Sequence, residues 1–246
     1  MDDPALLAGH VRDGLQPRIL PIATDPAGLP LAAARNRGID SVFAAGCDVV
    51  IALDVDCLVS PDLVADYHRL VSNAPETVWQ GPVTYLPPPP AGGYPLAALD
   101  AFDDPHPARP RLNRSETRRG ASPELFWSLS FALSRESWRR SGGFCEEYVG
   151  YGGEDTDFGQ ILRAEGIDLG WTGDARAYHQ HHPVSRPPVE HLDDILRNAD
   201  IYRRRWGSWP MQGWLDEFER RGLIVRENGA WTRTSSQAGV LGRQRR

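Results

Sequence analysis

An apolar run that ends in two carboxylates constrains this chain more than anything else in it. Val49-Val50-Ile51-Ala52-Leu53 is rich in β-branched residues and reads as a buried strand, and Asp54-Val55-Asp56 follows without a break. Apolar side chains gain by leaving water, whereas unpaired acids lose by it, because buried charge is costly. The strand must therefore leave the core and deliver both acids at the C-terminal edge of a sheet. Oxygen ligands of that kind suit a hard divalent cation such as magnesium or manganese. The plainer alternative is an acidic loop after a strand, and the rest of the chain has to discriminate the two.

The 246 residues suit one α/β domain, or a domain with a small appendage. With 27 basic and 33 acidic side chains the formal net charge is −6, which argues against a general nucleic-acid binder. No apolar run reaches membrane-span length, and Met1-Asp2-Asp3-Pro4 lacks a signal pattern. Cys47, Cys57 and Cys145 are odd in number and match neither zinc spacing nor a disulfide framework, so a reducing, cytoplasmic location is expected.

Periodicity predicts helices over 4–15, 31–45, from Ser60-Pro61-Asp62 onward, over 155–165, and as an amphipathic pair over 188–206 and 209–222. Strands are predicted at 18–22, 49–53, 77–86, 126–133, 167–171 and 175–179, with a turn at 24–28. Residues 87–123 are rich in proline, arginine and acid and read as a long functional loop carrying Arg109, Arg111 and Arg114. This divides the chain into a domain over 1–187, a helical extension over 188–231 and a disordered tail over 232–246.

Three further constellations carry chemistry. Gly150-Tyr151-Gly152-Gly153-Glu154-Asp155-Thr156-Asp157 puts glycines that permit close approach or positive φ before acids in the first turn of a helix. One of Glu154 and Asp155 is suited to act as general base, the other to orient a substrate hydroxyl; simple helix capping is the alternative. Tyr178-His179-Gln180-His181-His182-Pro183 offers several imidazoles, and on a strand His179 and His181 share a face. One histidine added to two aspartates suits manganese. Arg35-Asn36-Arg37-Gly38 presents a guanidinium for a diphosphate or for pairing with the acid strand.

Taken in order, Ala34-Arg35-Asn36-Arg37-Gly38, Leu53-Asp54-Val55-Asp56, Gly142-Gly143-Phe144 and Gly150 to Asp157 resemble the motifs of GT-A glycosyltransferases. The chain is most similar to the family-2-like branch whose C-terminal half is related to β-1,4-galactosyltransferases, over roughly residues 18–185. The resemblance implies a three-layer α/β/α domain with a mixed sheet, a C-terminal helical pair, and inverting transfer of a sugar from a nucleotide-diphosphate donor, with UDP favoured, to a hydroxyl acceptor such as a glycan, lipid or small molecule. It implies Mn2+ or Mg2+ held by Asp56 and by one of His179, His181 and His182. It directs Arg35 and Asp54 to the donor, Tyr151, Gly153 and Glu154 to the acceptor, and makes Asp155 the base. Tyr151 departs from the tryptophan that relatives often carry, which bears on acceptor shape.

Such a domain begins with a strand, helix and strand on the nucleobase side, and too few residues precede Arg35 to supply them. The expectation is an N-terminally truncated domain, through a mis-assigned start or a real loss, with an uncovered sheet edge. Two other functions compete: an impaired sugar- or nucleotide-binding relic, and an aspartate-based phosphatase. Such phosphatases carry threonine or valine two residues beyond the second acid, where Leu58 stands here.

Overall fold

The computed structural model describes residues 17–234. Its centre is a five-stranded mixed sheet in the order β1 (Val49–Leu53), β6 (Ser130–Ser134), β3 (Thr77–Gln80), β7 (Asp168–Thr172), β5 (Thr117–Arg119). Within it only the β3–β7 pair is parallel; β1–β6, β3–β6 and β5–β7 run antiparallel. A second sheet of β2 (Cys57–Val59), β8 (Ala177–His179) and β4 (Val83–Tyr85) stands at its edge.

Strand alternation sends side chains to two faces, and each face is covered. Val50, Val78, Phe131, Leu133 and Leu169 meet Ile39 and Phe43 of α1 (Leu31–Ala44), Trp138 of α3 (Arg135–Ser141) and Phe158 and Leu162 of α4 (Glu154–Ala164). Val49, Ile51, Trp79 and Ala132 face Leu63, Tyr67, Leu70 and Val71 of α2 (Leu63–Asn73). The result is the three-layer α/β architecture with a mixed sheet that the family resemblance implies. Phe158 is the hub of the first layer, stacked on Phe144 with ring centroids 4.1 Å apart. β1 pairs with β6 alone, and no described residue pairs with its other edge.

Several predicted elements differ, each for a local reason. The strand expected over 77–86 breaks at Gly81-Pro82: Gly81 N–H donates to the buried Tyr67 hydroxyl at 2.8 Å, Pro82 has no N–H, and the chain switches sheets. The strand expected over 126–133 begins only at Ser130, because the Trp127 carbonyl is taken by Gln80 Nε2 at 2.7 Å and the Leu125 carbonyl by Arg109 at 3.0 Å. Residues 18–22 form no strand; Asp25 to Gly28 does turn, with Gly28 N–H donating to Asp25 O at 3.1 Å.

The segment 87–123 is more structured than a loop. It contains a 3-10 stretch over Leu96–Phe102 and the edge strand β5, and Leu99 packs with Leu86 and Tyr178. Tyr178 Oη donates to Asp100 at 2.8 Å and Arg176 pairs with Asp103 at 2.5 Å, so two buried side chains pin it down. Arg111 and Arg114 are exposed, whereas Arg109 turns inward over the Trp127 ring at 4.5 Å.

The helical pair forms as α5 (Leu192–Trp206) and α6 (Gln212–Arg220), and a hairpin of β9 (Ile224–Glu227) and β10 (Ala230–Arg233) follows it. The tail expected from 232 is therefore corrected: Thr232 and Arg233 pair with Val225 and Ile224. The hairpin buries Ile224 and Trp231 against Leu192, Ile195, Leu215 and Phe218, and this burial holds residues too polar to announce a strand. The predicted helix over 4–15 and the tail beyond 234 lie outside the described residues. No helix among the described residues is long and apolar enough to cross a membrane.

Candidate active site

The site is assembled at one end of the sheets by strand register. Asp54 caps β1, its N–H donating to Leu129 O at 2.9 Å, and Val55 at the turn's tip is fully exposed. Cys57 N–H returns to Asp54 O at 3.0 Å, and the chain enters β2 at once. Antiparallel register then sets Cys57 opposite His179, while Gln180 N–H donates to Asp56 O at 2.9 Å. Asp56 is thereby delivered to the end of β8.

There His179 Nε2 lies 3.3 Å and His182 Nε2 4.0 Å from Asp56 Oδ2. One ligand atom from each of Asp56, His179 and His182 falls within 4.8 Å of the others. His181 is not among them; its backbone N–H donates to the Tyr94 hydroxyl at 3.1 Å and its side chain is exposed. The shared face expected for His179 and His181 is corrected, because β8 ends at His179 and alternation stops there. Tyr85 backs His179, with ring centroids 4.9 Å apart. A carboxylate oxygen with two imidazole nitrogens fits a divalent transition ion such as Mn2+ better than Mg2+, which favours an all-oxygen shell.

Arg35 joins this turn to the glycine-acid motif. From α1 it reaches Asp54 Oδ1 through Nη2 at 3.2 Å and Glu154 Oε1 through Nη1 at 3.1 Å. Burial pulls the guanidinium towards neutrality, but Glu154, Asp54 and Asp155 outweigh it and raise its pKa. The pairing with the acid strand expected for this arginine is formed, and both terminal nitrogens are engaged.

The motif itself works through backbone conformation. Gly150, Gly152 and Gly153 all have positive φ, and Gly153, at +97°, is the residue from which α4 starts. Glu154 and Asp155 therefore occupy the first helical turn. Glu154 is buried, and its Oε2 has no hydrogen-bond partner. Asp155 is half-buried, enclosed by protein yet touching solvent, and its pKa is pushed up to about 7. Burial is the main cause and the Glu154 charge the second; Arg35 and the Thr156 N–H, 2.7 Å away, act against them. A carboxyl poised there exchanges protons near neutrality. Tyr151 stacks on His191 at 4.4 Å and lies 6.0 Å from Trp214 of α6.

Sequence reading passed over two residues of this neighbourhood. Asp157 is fully buried and accepts hydrogen bonds from Tyr148, Arg205 and Trp206, fastening α5 to α4. Asn198 is fully buried beneath the glycine loop. Its signal was available: it falls on the apolar face of α5, three residues after Ile195 and four before Tyr202.

A family model described as the N-terminal domain of galactosyltransferase matches residues 113–192, less than half of the chain but including β6, the glycine-acid loop, α4 and the histidine cluster. Validoxylamine A glucosyltransferase of Streptomyces hygroscopicus subsp. jinggangensis (strain 5008) is 31% identical over 83 residues, covering 34% of this chain and 19% of that protein. Its counterpart in subsp. limoneus is 31% identical over 83 residues, covering 34% and 18%. The match thus spans about a fifth of the length of the curated relatives. A crystal structure of GalNAc-T7 with UDP, GalNAc and Mn2+ superposes with a TM-score of 0.44 and 16% identity over 79% of this chain and 44% of that one. Residues 113–192, the segment that bears Glu154 and Asp155, are thus similar to a galactosyltransferase domain, and an 83-residue stretch is similar to a glucosyltransferase.

Proposed function

We propose that this protein is a metal-dependent, inverting glycosyltransferase that moves a sugar from a nucleotide-diphosphate donor to a hydroxyl acceptor. The observation that carries the reading is the pairing of two kinds of group at one sheet edge. A cation-type cluster of Asp56, His179 and His182 sits on one side and Asp155 with its raised pKa on the other, and Arg35 bridges their neighbours Asp54 and Glu154. Asp56, His179 and His182 would hold a divalent cation, which when bound would supply positive charge against a leaving diphosphate. Asp54, held by Arg35, faces the donor side. Asp155 takes the acceptor hydroxyl proton during attack, and the free Oε2 of Glu154 accepts a hydrogen bond from the acceptor. Tyr151 and Gly153 line that side.

The phosphatase alternative fits less well, since Asp54 and Asp56 are engaged by Arg35 and His179 rather than free for nucleophilic attack. The relic alternative is decided by turnover: manganese-dependent hydrolysis of a nucleotide sugar, lost in Asp56→Ala, eliminates it.

Mn2+ with a UDP-sugar is expected to raise thermal stability, by about 2.7 kcal/mol at a hundredfold excess over Kd, or roughly 5–10 °C for a domain of this size. Asp56→Ala and His179→Ala should each abolish the manganese-dependent part, and His181→Ala should keep it. A shift that survives both of the first two substitutions would remove the cation site from the proposal. A donor panel read the same way then names the nucleotide and sugar.

A further inference from the structure

The C-terminal helix α5 carries three polar residues into the glycine loop. Asp194, Arg197 and Asn198 stand at the spacing that puts side chains on one helical face. Asn198 Nδ2 lies 3.1 Å from Val149 O, 3.3 Å from Tyr151 O and 2.8 Å from Gly152 O. Asp194 Oδ2 accepts from Tyr151 N–H at 3.2 Å, and Arg197 Nη2 donates to Val149 O at 2.6 Å and to Asp194 Oδ1 at 2.9 Å. The fit leaves no slack: a Cβ at Gly150 would collide with the Asp194 carboxylate.

These contacts answer a physical need. A loop with positive φ at Gly150, Gly152 and Gly153 makes no regular ladder, so its carbonyls have no helix or strand partners. One fully buried amide, with two N–H donors, lies within hydrogen-bond distance of three of them, so one N–H is shared between two carbonyls, while its own Oδ1 has no partner. An asparagine that leaves its acceptor unused to serve three carbonyls is selected by the loop and not by the core around it. The next two residues after that loop are Glu154 and Asp155. The match to galactosyltransferases stops at residue 192, so all three polar residues of α5 lie beyond it.

We propose that Asn198, supported by Asp194, is a positioning residue for the reaction: it fixes the glycine loop so that Glu154 and Asp155 face the acceptor. The role rests on the transferase reading given above. It also makes α5 part of the active site rather than an appendage.

The test uses Asn198→Ala in the full chain, with Asp194→Ala as a second variant should the first fail to fold. Amide hydrogen exchange is measured over 150–156, with 130–134 of β6 as internal reference. Exchange in the loop should rise about tenfold or more while β6 is unchanged. With UDP-glucose or UDP-galactose and Mn2+, kcat for donor hydrolysis per folded molecule should fall roughly 10–100-fold. KM for the donor should stay within about twofold, and the acid limb of the pH profile should move from its wild-type position. Unchanged loop exchange, or a rise spread evenly over the protein, overturns the clamp. Faster loop exchange with unaltered kcat and pH profile makes the clamp structural and overturns the positioning role. If the wild type turns over no nucleotide sugar, the transferase reading falls, and the exchange measurement still decides whether Asn198 holds the loop.

Discussion

Asp155→Asn should lower sugar transfer by roughly 10²–10⁴-fold, the usual contribution of a positioned general base. The manganese-dependent thermal shift should persist, because the cation cluster of Asp56, His179 and His182 includes no atom of Asp155. The pH dependence gives the sharper test. Only the ionised carboxylate accepts the hydroxyl proton, so wild-type activity should rise with pH along a limb centred near the raised pKa of about 7. The Asp155→Asn variant should lack that limb. Stability moves the opposite way. Asp155 has its folded-state pKa raised, mainly by burial, so the fold favours the protonated form. That contribution is fully present below the ordinary carboxylate range and is lost as pH rises through about 7. Asp155→Asn removes the ionisation cost, and the variant should be more stable than wild type above pH 7, with the difference vanishing near pH 4. Contact with solvent keeps the gain on the order of 1–3 kcal/mol. A variant as active as wild type, or one that keeps the wild-type limb near pH 7, would remove Asp155 from the role of base, and a variant less stable than wild type at pH 8 would contradict its raised pKa.

The same carboxyl explains the arrangement around it. Glu154 pushes its pKa up and Arg35 pulls it down, and Arg35 is itself held by Asp54 at the end of β1. Charge on the Asp54 turn is thus coupled to the proton affinity of Asp155 through one guanidinium. Replacing Arg35 by methionine should raise the acid limb further, since the neighbour that lowers the Asp155 pKa is removed. The limb of the pH profile for donor hydrolysis measures this, and no upward movement would mean that Arg35 serves only to hold the two segments together.

How much of this was legible depends on where physical conflict shows in the chain. The acids of Asp54 and Asp56 announce themselves because they interrupt an apolar strand, and Glu154 and Asp155 because they follow glycines at a helix start. Those are local contradictions that mark both stretches as candidates for a site. The choice among His179, His181 and His182 was not legible, because it depends on β8 ending at His179 and on its register with β2. Both are strands of three residues, too short to carry a pattern. β5 and the β9–β10 hairpin escaped for the same reason: their pairing is set by Trp171 and Gly170 of β7 and by the apolar surface of α5 and α6, not by their own sequence. Asn198 is intermediate. Its place on an apolar helical face marks it as unusual, but only the folded loop says which carbonyls it serves.

The largest effect on stability is expected at Asp157. Sequence placed it two residues after the candidate base without a role, and the structure makes it the anchor between α4 and α5. Its Oδ1 receives Arg205 Nε at 2.7 Å, Trp206 Nε1 at 2.6 Å and Tyr148 Oη at 3.1 Å, all within protein that leaves Asp157 no exposure. Removing the acceptor leaves three donors without a partner, one of them charged. Breaking a buried pair from one side costs about 3–5 kcal/mol, so Asp157→Ala should lower Tm by roughly 6–20 °C. Asp157→Asn keeps an oxygen for the same three donors but loses the charge, and it should cost about 1–3 kcal/mol. The ordering alanine worse than asparagine separates loss of the acceptor from loss of the charge. Arg205→Ala combined with Asp157→Ala should cost less than the sum of the two, with a coupling of about 0.5–3 kcal/mol. Urea unfolding of wild type and the four variants measures all three quantities. Additive losses, or an alanine variant within about 0.5 kcal/mol of wild type, would mean that α5 is held to α4 by its apolar face alone.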